Sequence, residues 1–277
     1  MNVSTSSVHY GERYVDARLP DLPQIALQTV YVRSCALRLW LVVGELLMTR
    51  EEQWYNAQTR SWSAFLREQR IAEADVLLYA LRHGSTQLNE ANKFRGWVDV
   101  PLDKNGEKDA AAAGVFLKDS GVKSIFCSDL ERACETAKIV GDILNLDPTE
   151  DALLRPWNIG YLSGSNKEEH QAELEKFIDN PDMIIPDGES LNSFGKRAQN
   201  ADDKYVALAR KNGPILLVFH TSNIVQLQNY CSGSGYAERP ESDEAVSPGG
   251  ILCVKDVDGQ LITDAIFKDA GKAAYGS

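Results

Sequence analysis

The chain has 277 residues, a net charge of −11 from 29 Lys and Arg against 40 Asp and Glu, and 43% hydrophobic residues. That much apolar material excludes wholesale disorder, and ordinary glycine and proline contents exclude a collagen or a low-complexity chain. The acidic total argues against a protein that grips nucleic acid with a basic face, so any anionic ligand must be drawn in by a local cluster of cations.

Residues 1–20 are polar and carry no period. Residues 22–48 have a helical pattern that includes Ile25, Leu27, Val30, Leu37, Trp40 and Leu41. It is apolar on more than one face, as expected of a well-covered helix. Arg33, Arg38 and Glu45 interrupt it, whereas a membrane span needs about 18 or more apolar residues with few charges. A second helical pattern over residues 50–74 carries Trp54, Trp62, Phe65 and Ile71, and the two predict a helical hairpin. Residues 1–75 thus read as a helical N-terminal extension. It either covers a flank of the body or serves as a docking or homo-oligomerisation element. No lysine occurs before Lys93, although arginines occur throughout, which marks a change of character near residue 75. The cysteines Cys35, Cys127, Cys134, Cys231 and Cys253 form no CxxC pair. They are expected to be reduced thiols and not a zinc site or a disulfide framework. The N-terminus lacks a basic segment followed by an apolar one, so the cytoplasm is the expected location.

From residue 76 the pattern alternates. Residues 76–81 form a short apolar run read as a buried strand. A loop over 89–105 and an alanine-rich helix over 106–120 follow. Then come a strand over 122–127, a helix over 130–144 and a long polar region of helical pattern over 167–211. A strand at 214–219 leads into another helix. Two strand-like runs, 251–254 and 261–267, flank the turn signal Asp258-Gly259. Strands alternating with helices predict an α/β fold: a three-layer α/β/α sandwich with a mostly parallel sheet, occupying residues 76–277.

Three of these strands end in polar residues, and ligands of open α/β sheets bind at carboxyl strand ends. The tips are Arg82-His83-Gly84-Ser85-Thr86 with Asn89, Ser128-Asp129-Leu130-Glu131-Arg132, and His220-Thr221-Ser222-Asn223. Together they offer two guanidiniums, two imidazoles and two helix N-termini. That set suits a tetrahedral dianion, because arginine binds phosphate oxygens bidentately and helix N-termini present free N–H groups. A histidine among them can form a phosphoryl-histidine and split one transfer into two. Each string alone recurs by accident; their order at successive strand ends gives them weight.

These residues resemble the histidine phosphatase superfamily, phosphoglycerate-mutase-like branch. The resemblance rests on Arg82-His83-Gly84-Ser85-Thr86 with Asn89, on Phe94-Arg95-Gly96-Trp97, and on Ser128-Asp129-Leu130-Glu131-Arg132-Ala133. It continues through Leu154-Arg155-Pro156-Trp157-Asn158, Gly188-Glu189-Ser190 with Arg197, His220 and Ser247-Pro248-Gly249-Gly250. It implies a metal-independent phosphatase, without cofactor, acting on a phosphorylated small molecule or phosphoprotein. His83 would be the phosphorylated nucleophile, with Arg82 and Arg132 clamping the phosphoryl oxygens. His220 would bind the same group and stabilise its charge. Asn89 would donate to an oxygen, with further donors from the Thr221 backbone and the Ser85-Thr86 turn.

The resemblance fails at the general acid. Where the branch has a glutamate this chain has Pro156, and where the other branch has an aspartate after the second histidine it has Thr221. Asp129 is the first substitute to consider, followed by Glu150, Asp151 and Glu168. Otherwise the substrate has a leaving group that needs little protonation. A mutase, and a phosphate- or phosphopeptide-binding module that lost its acid, are the alternatives.

Overall fold

The structure is a computed structural model that describes residues 75–235 and 246–267. The expectations for the helical hairpin and for Cys35 lie outside the described residues.

Among the described residues, six strands form one sheet: β1 (Val76–Arg82), β2 (Ser124–Cys127), β3 (Pro148–Glu150), β4 (Ile215–Phe219), β5 (Ile251–Val257) and β6 (Gln260–Phe267). Their spatial order is β3-β2-β4-β1-β5-β6. The pairs β1–β4, β2–β4 and β2–β3 are parallel, while β5 and β6 continue the sheet antiparallel. Among the described residues, the helices longer than one turn are α1 (Lys104–Leu117), α2 (Glu131–Leu144), α3 (Lys167–Asp179), α4 (Leu191–Asn212) and α5 (Thr221–Ser232). The mostly parallel α/β/α sandwich read from the sequence is therefore the architecture.

The strand pleat sorts the core into two layers. Leu78, Ala80, Ile215, Leu217 and Phe219 face α4 and α5, meeting Ala201, Tyr205, Ala209, Ile224 and Leu227. Tyr79, Leu81, Leu216 and Val218 face α1 and α2, meeting Ala113, Leu117, Ala133, Ala137 and Val140. β4 is buried on both faces, which is why it is a continuous apolar run without alternation. A third cluster joins α3 and the first half of α4 around Trp157, Ile159, Leu162, Phe177 and Phe194.

The helical stretch expected over 167–211 is two helices. Asn180 and Pro181 follow α3, and a Pro186-Asp187-Gly188 turn precedes α4. Proline disfavours the α conformation in the residue before it, so the helix stops there. The short edge strand β3 was not anticipated: three residues, one of them proline, give no periodic signal. The hairpin turn behaved as expected, with Asp258 and Gly259 both at positive φ of 54° and 86°, the geometry of a tight β-turn.

Candidate active site

The register brings the strand tips together. Arg82 pairs with Phe219, and Cys127 pairs with Val218. The ladder extends one residue further, with His83 N–H donating to the Phe219 carbonyl and Ser128 N–H to the Val218 carbonyl, both at 3.0 Å. His83 and His220 thus leave adjacent parallel strands side by side, their ring centroids 5.1 Å apart.

His83 is fully buried. Its Nδ1 lies 2.7 Å from the Gly84 carbonyl oxygen. A carbonyl can only accept, so Nδ1 carries the proton and Nε2 the lone pair. That Nε2 is buried with no partner. Burial, followed by Arg132, Arg95 and Arg82, pushes the His83 pKa well below the ordinary imidazole value, so the ring is neutral at pH 7. His220 is held down in the same way, by burial and then by Arg132 and His83, and both its ring nitrogens lack partners.

The loop after β1 is fixed from two sides. Gly84 N–H donates to Thr136 Oγ1 at 3.1 Å, and that hydroxyl donates to the Arg132 carbonyl at 2.7 Å. On the other side the first turn of α1 presses on the loop. A Cβ at Gly84 would come within 2.8 Å of Gly106 Cα, and one at Gly106 within 2.8 Å of the Ser85 nitrogen. Only glycine permits so close an approach at this crossing.

The two anticipated arginines are aimed by backbone carbonyls. Arg82 donates to Val246 O at 2.7 Å, and Arg132 to Val98 O and Gly96 O at 2.9 Å each. Each keeps a buried Nε with no partner. Burial and the neighbouring Arg95 lower their pKa values to about 9 and about 10, with Asp109 and Asp99 opposing the shift; both stay charged at pH 7.

Other expected donors fare differently. Ser85 N–H donates to Asp109 Oδ2 at 3.3 Å, and Thr86 N–H and Oγ1–H both go to Asn89 Oδ1, at 3.2 and 2.8 Å. The Ser85-Thr86 turn is therefore spent on holding itself. With its amide oxygen engaged by Thr86, Asn89 has Nδ2 to offer as a donor. Thr221 opens α5, next to the N-cap His220. The Thr221 hydroxyl is also buried without a partner.

Three of the four acid candidates are engaged elsewhere. Asp129 forms a bidentate ion pair with Arg155, at 2.7 Å to Nε and 2.6 Å to Nη2. The Arg155 hydrogen bonds lower its pKa. Asp129 therefore rests as a carboxylate and holds no proton to give near neutral pH. Asp151 accepts from Lys204, Tyr205 and Leu153 N–H. Glu168 accepts from Asn92 Nδ2 at 3.2 Å. Pro156 is buried, and its carbonyl accepts from Trp97 Nε1 and Arg197 Nη2.

Arg197 organises this wall. It donates to the Leu153, Arg155 and Pro156 carbonyls and to Glu189 Oε1, the last at 2.6 Å. Glu189 Oε1 also accepts Asn158 N–H. Arg155 stacks over the Trp97 ring, 4.6 Å from its centroid.

A third guanidinium, Arg95, was not anticipated as a site residue. It comes from the loop after β1, not from a strand tip, so a search of strand ends passes it by. Its signal was present in Phe94-Arg95-Gly96. Arg95 Nη1 is buried without a partner. The pocket thus gathers buried, unpartnered N–H groups around a neutral imidazole lone pair, the donor set for a tetrahedral oxyanion. Among the described residues, no group of three or more His, Cys, Asp or Glu is placed to hold a metal ion, and no helix is long and apolar enough to cross a membrane.

The model of the histidine phosphatase superfamily (branch 1) matches residues 78–243. A probable phosphoglycerate mutase GpmB from Proteus mirabilis (strain HI4320) is 31% identical over 167 residues, which is 58% of this chain and 78% of the relative. A mycobacterial glucosyl-3-phosphoglycerate phosphatase solved in complex with VO3 superposes with a TM-score of 0.61 at 24% identity, covering 69% of this chain and 98% of that one. The alpha-ribazole phosphatase from Shigella flexneri gives a TM-score of 0.59 at 21% identity over 70% of this chain and 96% of that one. At these identities the two structures establish the shared fold.

Proposed function

The chain belongs to the histidine phosphatase superfamily, branch 1, and from that footing we propose that it is a metal-independent phosphatase working through a phosphohistidine on His83. The observation that carries the reading is the unprotonated Nε2 of His83, buried and unpartnered, with Nδ1–H anchored on the Gly84 carbonyl.

In the first step the Nε2 lone pair attacks phosphorus and the bond to the leaving oxygen breaks. Arg82, Arg132 and His220 receive the three spectator oxygens, supported by Asn89 Nδ2 and the Thr221 backbone N–H at the start of α5. Fixed donors in a dry pocket stabilise the charge that builds up in the transition state. In the second step water attacks phosphorus, the P–N bond breaks, and phosphate leaves with His83 restored. The proton stays on His83 Nδ1 throughout, donated to the Gly84 carbonyl.

The leaving oxygen must take a proton or depart as an anion. With Pro156 at the wall and Asp129 paired to Arg155, the site favours substrates whose leaving group departs readily: a phosphoanhydride, an acyl or aryl phosphate, or a phosphohistidine. The matched relative is named as a probable mutase, so transfer to a second hydroxyl is the competing reading.

The test is hydrolysis of an aryl phosphate by wild type and by His83→Ala. We expect turnover that His83→Ala abolishes, with an acid-labile, base-stable phosphoenzyme trapped in the wild type. Equal rates in the two proteins would overturn the reading. Transfer from 2,3-bisphosphoglycerate to 3-phosphoglycerate outpacing hydrolysis would replace it with the mutase.

A further inference from the structure

The wall that carries Pro156 is fastened to the first turn of α5. Two consecutive residues of that turn hold the peptides on either side of the proline. Ser222 Oγ accepts the Trp157 N–H at 3.3 Å, and Asn223 Nδ2 donates to the Arg155 carbonyl at 3.2 Å. Pro156 is therefore held beside the helix end that His220 caps.

Asn223 is only 3% exposed, and its Oδ1 is buried without a partner. Its neighbour fixes which way the amide lies. A carbonyl can only accept, so the atom facing Arg155 O is the nitrogen, and the oxygen is turned away from that carbonyl. Buried polar atoms almost always find a partner, in the protein or in a water, because leaving one unpaired is costly.

The chemistry of this atom sets it apart from the rest of the pocket. The unpartnered nitrogens of Arg82, Arg95 and Arg132 are donors suited to oxyanions. Asn223 Oδ1 can only accept, and a phosphoryl dianion has no hydrogen to give it. Its ligand must bring a hydrogen. The reaction supplies such a ligand. In an in-line displacement the attacking water enters where the leaving oxygen departed, opposite the bond to His83 Nε2. The resemblance puts the proton donor for that oxygen at position 156, so the water enters against this wall.

We propose that Asn223 positions the water that hydrolyses phospho-His83. The inference rests on the phosphatase reading for the phosphoenzyme, and it names a positioning residue for the second step. The water donates one hydrogen to Asn223 Oδ1, which aims an oxygen lone pair at phosphorus. The O–P bond forms, the P–N bond breaks and its electron pair returns to Nε2. The other water proton passes to a phosphoryl oxygen, so the product leaves as dihydrogen phosphate and His83 is again a neutral imidazole. An amide cannot take up that proton. It need not, because the group displaced in this step departs uncharged.

Rapid-quench kinetics on the full chain with a labelled aryl phosphate separate the two steps. Aryl alcohol released in the first turnover reads phosphoenzyme formation, and loss of label from the protein after a chase with unlabelled substrate reads its decay. Asn223→Leu removes the acceptor at similar volume, while the Arg155 carbonyl keeps Arg197 Nη1 as a donor at 2.7 Å. We expect formation to stay within about threefold of wild type and decay to slow about tenfold or more, so that phosphoenzyme accumulates. A purely structural role would slow both steps together. Asn223→Ala carries the same expectation and keeps the test open should Asn223→Leu not fold. Equal slowing of both steps, or decay at the wild-type rate, would overturn the proposal and leave the phosphohistidine chemistry standing. Slower formation alone, confined to substrates with a hydroxyl near phosphorus, would overturn it in favour of Asn223 as a reader of the substrate. A wild type that forms no phosphoenzyme would sink the phosphatase reading and this inference with it.

Discussion

The contact between α1 and the His83 loop offers a sharp test of how the nucleophile is positioned. In Gly106→Ala the new Cβ would sit 2.8 Å from the Ser85 nitrogen, 3.0 Å from its carbonyl carbon and closer still to its oxygen, whereas ordinary contact begins at 3.4 Å. Backbone, not a side-chain end, is in the way, so the loop or the helix must move by roughly one ångström, a misplacement that costs on the order of 100-fold in rate. Overpacking costs about 1–3 kcal/mol, while replacing a helical glycine by alanine returns up to about 1 kcal/mol, so the loss of stability should be small. Gly114→Ala in the same helix is the matched control. There the Cβ would meet Ile143 Cδ1 at 2.6 Å, the end of a flexible side chain that can turn aside. The assay is kcat/KM for an aryl phosphate beside thermal unfolding of both variants. We expect Gly106→Ala to lose about two orders of magnitude with Tm lowered by a few degrees, and Gly114→Ala to stay within about threefold of wild type. Near-wild-type activity in Gly106→Ala, or equal losses in both, would refute the claim that this crossing positions His83.

Three further outcomes follow from the wall and the buried imidazoles. His83 and His220 are both held neutral by burial and nearby guanidiniums, so the unfolded chain binds protons below about pH 6.5 that the folded chain does not. Stability should be full above that pH and fall below it, approaching about 3 kcal/mol per pH unit for two imidazoles; a Tm that is flat from pH 7 to 5 would contradict their neutrality. Arg197→Met should destabilise by about 3 kcal/mol, the low end for breaking a buried pair, because Glu189 and three carbonyls lose their donor; chemical denaturation would measure this, and a change below about 0.5 kcal/mol would deny Arg197 its organising role. Asp129→Asn should change rates by a similar factor for good and poor leaving groups, since Asp129 is paired as a carboxylate. A loss of about 100-fold or more confined to poor leaving groups would make Asp129 the acid after all.

Much of the fold was legible because its signals are local. The apolar runs of β1 and β4 and the Asp258-Gly259 turn each state their structure within a few residues. The strand tips were legible as a site for the same reason: charged and polar residues ending apolar runs are conspicuous at the carboxyl edge of an α/β sheet. Family-like strings then tied Arg82, His83, Arg132 and His220 to phosphoryl chemistry. The break at 180–190 within the long helical stretch was less visible, because the polar pattern runs through it. β3 was invisible, since three residues have no period.

What the chain order alone could not decide is which partner each polar group finds. Asp129 stood beside an arginine of the site in sequence, yet its carboxylate folds onto Arg155, 26 positions away, and this counts against it as the proton donor. Ser85 and Thr86 looked like free donors until α1 and Asn89 claimed them. Arg95 looked like a loop residue until the fold buried its guanidinium with no carboxylate opposite. These outcomes depend on desolvation and on charges brought close by packing, which have no sequence period. Local patterns in the chain already specified five of the six strands, the tips and the residue types gathered there. The tertiary structure decided their protonation, their pairing and the surplus of positive charge in the pocket of an acidic protein, because those are set by what lies within a few ångströms in space.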